Sequence, residues 1–109
     1  MKKSDDVYRL QILDAVTKIE RFIGSLDRDA FLGTEVVQSA VIMQLAVIGE
    51  LSKRLSEDFK DSVPLPWKQI AGFRDRAVHD YFQLDLESVW LTIQDDLPSL
   101  KTALERPPA

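Results

Sequence analysis

The chain predicts an all-α fold, and three observations carry that prediction. Apolar residues recur at helical spacing in successive stretches, glycine and proline fall between those stretches, and no strand-like alternation lasts more than a few residues. Four or five helices joined by short links make an up-and-down bundle the natural architecture. The 109 residues, 45% of them hydrophobic, suffice for a single domain over 1–109 with one core.

Between residues 5 and 26, Ile12, Val16, Ile19, Ile23 and Leu26 form one apolar stripe of a first helix. Ser4 is placed to cap it, and Asp5 and Asp6 suit the positive end of its dipole. Gly24 and then DRDAFLG, 27–33, break the chain, with room for one short helical turn. Thr34 is placed to cap a second long helix over 34–60, whose first half, Val36 to Ile48, is apolar on most sides. A helix on the outside of a monomer needs only one apolar stripe. This one is therefore central, or buried both in its own bundle and against a second subunit. Its second half narrows to Leu51, Leu55 and Phe59.

DSVPLPW, 61–67, is a stop, because Pro64 and Pro66 exclude a regular helix there. Pro66 suits the first position of the next helix, which runs to Val78–Phe82. After a turn at QLD, Asp85 can cap a last helix with Leu86, Val89, Trp90, Ile93 and Leu97 on one face. Pro98 is expected to kink or restart it, with Leu100 and Leu104 beyond, and 105–109 is expected to be a frayed tail.

Composition narrows the function. The net charge of −4, from 14 bases and 18 acids, argues against a general nucleic-acid binder with a broad basic field, so any RNA contact must be local. The absence of cysteine excludes disulfides, thiolate metal sites and thiol nucleophiles, and fits a reducing cytoplasm. One histidine nearly excludes a His-rich metal centre, so no metal and no cofactor are expected. The longest apolar run, 36–49, is interrupted by Gln38, Ser39 and Gln44 and falls short of a bilayer crossing. The first ten residues lack the apolar segment of a signal peptide, so no membrane association is expected.

The candidate chemistry lies in FRDRAVHDYF, 73–82. On an ideal helical wheel Trp67, Ile70, Arg74, Val78 and Tyr81 share a stripe about 80° wide. A guanidinium among apolar neighbours requires an anion. Arg74 is therefore in a structural ion pair with an acid such as Glu50, or at the edge of a cleft that receives an anion. His79 lies about 140° from Arg74 on the same wheel. Either the helix loosens near His79, or a two-fold axis brings residues of two protomers into one cleft. A histidine can move a proton to or from a ribose 2′-OH or a leaving oxygen, and an arginine can hold phosphate. The pair suffices for metal-independent RNA cleavage that leaves a 2′,3′-cyclic phosphate. Lys68 and Arg76 are further candidates for RNA docking. The bare Arg-x4-His spacing is weak; a solvated helical histidine and core aromatics at Trp67 and Tyr81 are the ordinary readings.

The wider stretch PWKQIAGFRDRAVHDYFQLDLESVWLTIQDDLPSLK, 66–101, resembles the HepT-like family of the HEPN superfamily. Arg74, His79 and Tyr81 match that family's Arg-x4-His-x-Tyr pattern, and QLAVIGELSKRLS, 44–56, extends the similarity upstream. One departure is Asp75, where the family often has asparagine; an added negative charge there works against RNA binding. The resemblance implies an all-helical, HEPN-like homodimer with Arg74 and His79 of both subunits near one interfacial cleft. It implies a ribonuclease acting on tRNA or mRNA, the toxin of a type VII HepT/MntA toxin–antitoxin pair. It also implies a partner, a minimal nucleotidyltransferase antitoxin that transfers AMP to Tyr81. AMP beside His79 would add bulk and negative charge where an RNA phosphate must sit. The competing reading is a non-catalytic helical module that binds a nucleotide or a nucleotidyltransferase, which the acidic balance and Asp75 favour. A plain structural dimer is the third.

Overall fold

The computed structural model describes residues 2–105, and among these every element of secondary structure is helical. Helix α1 (Lys3–Ile23) packs along α3 (Glu35–Arg54), and α3 packs along α5 (Trp67–His79). Two short helices, α2 (Arg28–Leu32) and α4 (Glu57–Ser62), fill the corners. A 3₁₀ turn (Tyr81–Gln83) leads to α6 (Leu86–Leu91), a π turn (Thr92–Asp96) and α7 (Leu97–Glu105). These last three run on as one segment, with α6 against α2 and α7 against α1. Asp5 at the start of α1 touches Ser56 beyond the end of α3, and Ser39 early in α3 touches Tyr81 beyond the end of α5. Both neighbours therefore run antiparallel to α3, and the four long segments form the expected bundle.

The core follows the stripe read from the sequence. Ile12, Val16, Ile19 and Ile23 are buried against Val41, Leu45 and Ile48 of α3 and against Ile93, Leu97, Leu100 and Leu104. Phe31, completely buried on α2, stacks at a tilt on Trp90 with ring centroids 5.4 Å apart. Taken alone, α3 is long and apolar enough to cross a membrane, more so than the run 36–49 suggested. In the fold it is the central helix, with α1, α2 and α5 around it.

Several local expectations are corrected. Ser4 is inside α1 rather than at its cap, and Leu26 lies beyond the helix, which ends at Gly24 with φ of 52°, a conformation suited to glycine. Thr34 occupies the N-cap position of α3, but its hydroxyl donates back to Ala30 O at 2.6 Å. The helix expected over 34–60 is two helices. Leu55 turns extended, and Ser56 caps α4 by accepting from Phe59 N. The break is fixed by Asp5, 2% exposed, whose carboxylate accepts from Ser56 N at 2.8 Å and Ser56 Oγ at 2.6 Å. Burial pushes the Asp5 carboxyl up, but the hydrogen bonds from Ser56 outweigh it and hold the group below its ordinary value. Pro66 is the N-cap of α5 rather than its first residue. The last helix is interrupted and restarts beside Pro98, with α7 beginning at Leu97. The π turn just before it widens the ladder, and Leu97 N–H reaches back to Thr92 O. Glu105 closes α7, while 106–109 of the expected tail lie outside the described residues.

Helix α5 differs from the others of its length: none of its residues is fully buried. It is held to the bundle almost wholly by α3.

Candidate functional site

The position of α5 is set at Gly49. A Cβ there would come 2.7 Å from Arg74 Cβ and 2.8 Å from Ile70 O, so the two helices cross in close contact only because the residue is glycine. This crossing lays Arg74 beside Glu50. Arg74 Nε lies 3.2 Å from Glu50 Oε2, and Nη1 lies 3.4 Å from Asp75 Oδ1. The same Asp75 oxygen accepts from Lys53 Nζ at 2.7 Å, while Arg54 Nη2 stands 3.9 Å from Glu50 Oε1. The structural ion pair with Glu50 is thus present. The Arg74 side chain nevertheless keeps 33% of its surface open to solvent. Three bases and two acids meet here, leaving one positive charge in excess on a chain whose net charge is −4. Any attraction for an anion is therefore local, as the composition required. The hydrogen bond from Lys53, together with its charge and that of Arg74, holds the Asp75 carboxyl below its ordinary value.

His79 is the last residue of α5 and is exposed. The helix ends there rather than loosening: Asp80 leaves helical geometry at φ −129° and ψ 38°. No hydrogen bond or ion pair joins His79 to Arg74 among the described residues. Tyr81 accordingly leaves the helical stripe predicted for it and sits in the 3₁₀ turn. Its hydroxyl is 3.1 Å from Ser39 Oγ, its ring meets Phe82 edge-on at 5.7 Å, and the residue is 40% exposed. Tyr81 is therefore at the rim of the bundle, partly open to solvent. Trp67 is structural: its Nε1 donates to Val63 O at 2.9 Å and its ring packs on Phe59.

Around this end of α5 the surface is apolar. Val78 and Phe82 are exposed, Phe82 by 95%, and so are Val36 and Met43 on α3. On the α3 wheel Val36, Ala40, Met43, Val47 and Glu50 share an arc of about 80°. That arc is the apolar surplus the sequence could not place in one bundle. On the helical wheel the two docking candidates, Lys68 and Arg76, lie about 20° and about 60° from His79, both more than about 100° from Arg74. The Arg76 guanidinium is engaged over the Phe73 ring, 5.6 Å from its centroid. Sequence reasoning missed Ser39 and Lys53. Both act across the α3–α5 contact, and no local spacing reveals that register; Gly49 in an otherwise apolar helix was the available sign of a close crossing.

An all-helical bundle with an exposed histidine at the end of one helix, an arginine in a local basic cluster and a partly exposed tyrosine fits the HEPN class. The family model for ribonuclease HepT-like proteins matches residues 12–107, and the chain belongs to that family. It is 39% identical over 107 residues to a "Probable ribonuclease HepT" of Thermococcus cleftensis, covering 97% of each chain. Two chains of Methanocaldococcus jannaschii that carry RNase names are also similar. One is 30% identical over 105 residues, covering 95% of this chain and 96% of the other. The second is 36% identical over 99 residues, covering 90% and 82%. No solved structure matches.

Proposed function

We propose that the chain is a metal-independent endoribonuclease that works as a homodimer, with its cleft between two copies of the α5 face. The observation that carries this is the placement of His79. It is exposed at the end of α5, unlinked to Arg74 of its own chain, beside apolar side chains that one protomer leaves uncovered. A second copy on the same face covers Val36, Met43, Val78 and Phe82 and brings the imidazole of one chain toward the guanidinium of the other.

In that cleft the ribose 2′-oxygen attacks the adjacent phosphorus and the bond to the 5′-oxygen breaks. One His79 accepts the 2′ proton and the His79 of the second protomer delivers a proton to the leaving 5′-oxygen. Arg74 holds the phosphate and the charge that builds on it. The products are a 2′,3′-cyclic phosphate and a 5′-hydroxyl. The similarity to chains with ribonuclease names supports the substrate class.

The same reading makes the chain the toxin of a HepT/MntA-type pair in the cytoplasm, silenced by a minimal nucleotidyltransferase. The Tyr81 oxygen attacks the α-phosphorus of ATP and pyrophosphate leaves, so AMP stands next to His79. The exposure of Tyr81 and its position two residues beyond His79 favour this. One observation favours the non-catalytic alternative: Arg74 already has Glu50 and Asp75 as partners.

Cleavage of purified RNA in EDTA separates the two. Wild type is expected to cleave, and His79→Ala and Arg74→Ala to lose activity by at least about 100-fold. Equal cleavage by all three, or none by any, would leave the binding module.

A further inference from the structure

Asp75 creates a problem at the candidate site, and Lys53 answers it. A carboxylate next in sequence to Arg74 can fold onto the guanidinium and occupy the edge that a phosphate would use. With Glu50 already on Nε, a full Asp75 contact would put two negative charges on one arginine. The observed geometry avoids this. Asp75 Oδ1 is drawn to Lys53 Nζ at 2.7 Å, and its distance to Arg74 Nη1 is 3.4 Å, at the long limit of a hydrogen bond. One oxygen has two suitors on two helices, and the lysine holds it more closely.

We propose that Lys53 is a positioning residue for Arg74: by taking up Asp75, it keeps the guanidinium edge free for an RNA phosphate. The proposal rests on the reading of the α5 face as an RNA site, but it concerns anion binding there and does not require cleavage. Three observations point the same way. Lys53 lies on α3 and reaches across the Gly49 crossing to a residue of α5, so its contact reports the register of the two helices. Asp75 is about half exposed and Lys53 more than a third, so water screens the bond between them and it contributes little to stability by itself. Finally, Arg74 remains one-third exposed although two acids touch it.

Four proteins test this: wild type, Lys53→Ala, Asp75→Asn and the double variant. The probe is a fluorescein-labelled 2′-O-methyl oligoribonucleotide, which binds without being cleaved, followed by anisotropy. Lys53→Ala is expected to bind about 10-fold more weakly, a change of about 1.4 kcal/mol. Asp75→Asn is expected to bind more tightly than wild type. The double variant is expected to regain most of what Lys53→Ala loses, because no carboxylate remains for Arg74 to collect. The gain from Asp75→Asn is expected to be larger in the Lys53→Ala background than in wild type. A lysine that contacted RNA directly would let Asp75→Asn tighten binding by the same factor with or without Lys53, and a merely structural bridge would give equal losses in all three variants; either pattern overturns the proposal. So does the absence of binding by every protein. Thermal melts within about 2 °C of wild type confirm that folding is not the cause.

A cleavage assay in EDTA on the same four proteins keeps the two ideas apart. Rescue in binding with no cleavage by wild type removes the ribonuclease reading and leaves the role of Lys53. Cleavage that depends on His79 but binding that ignores Lys53 and Asp75 removes the role of Lys53 alone.

Discussion

The two faces of α3 were built to different standards. Toward α1 and α7 it meets a closed core in which Ile12, Ile19, Val41 and Leu104 are wholly or almost wholly removed from water. Toward α5 it meets a helix with no fully buried residue, with Val78 exposed in its last turn and Tyr81 and Phe82 exposed beyond it. The first face is complete within one chain. The second is open to solvent, and it carries the arginine, the histidine and the tyrosine of the motif. The contrast teaches that apolar surface and chemistry are left open together, as expected where a second chain both covers the surface and completes a cleft.

The largest expected effect sharpens that contrast. Phe31→Ala should lose about 3–5 kcal/mol in urea denaturation, because it empties a completely buried site. Phe82→Ala should stay within about 0.5 kcal/mol of wild type in the folding of a dilute chain, yet shift self-association measured by sedimentation. Equal losses would mean the two faces are alike.

A smaller effect is expected at the boundary. Gly49→Ala brings a methyl group to 2.8 Å from the Ile70 carbonyl oxygen, so α5 must move away from α3. The cost should be about 1–3 kcal/mol. Because Arg74 Cβ is the other atom in the way, RNA binding should fall as well. Retention of binding would show that the crossing does not set the position of Arg74.

The closed face also predicts a pH dependence. The Asp5 carboxyl is held below its ordinary value, so its contribution to stability is present above the unfolded value near 3.8 and is lost as pH falls through the lower folded value. Asp5→Ala leaves Ser56 N–H and Oγ–H without their acceptor and should cost about 1–3 kcal/mol near neutrality. It should also flatten the acid limb of the stability curve. Smallest of all, Arg28→Ala removes an exposed pair with Glu87 and should leave the melt unchanged.

The same division explains what the sequence made legible. The stripe from Ile12 to Ile23 and the Asp85 cap are local patterns, and both are found in the structure. The surplus apolar arc of α3 was visible as a helix too hydrophobic for one stripe. Hidden were the features that depend on distant partners. Asp5, 51 residues from Ser56, breaks a helix that periodicity would continue. Proline chemistry marks the place near Pro98 where the last helix is interrupted, but not that the interruption is a π turn. At the site, Glu50 was nameable as an acid for Arg74, but Lys53 and Ser39 become visible only when α3 and α5 are laid together.

The claim on which the functional reading stands is that the cleft needs two chains. Wild-type and His79→Ala proteins can be unfolded together at varied ratios and refolded as mixtures. Hybrid dimers would hold one intact His79, too few for both proton transfers, so RNA cleavage in EDTA is predicted to fall with the square of the wild-type fraction. A mixture that forms hybrids by mass yet cleaves in proportion to its wild-type fraction would contradict the account.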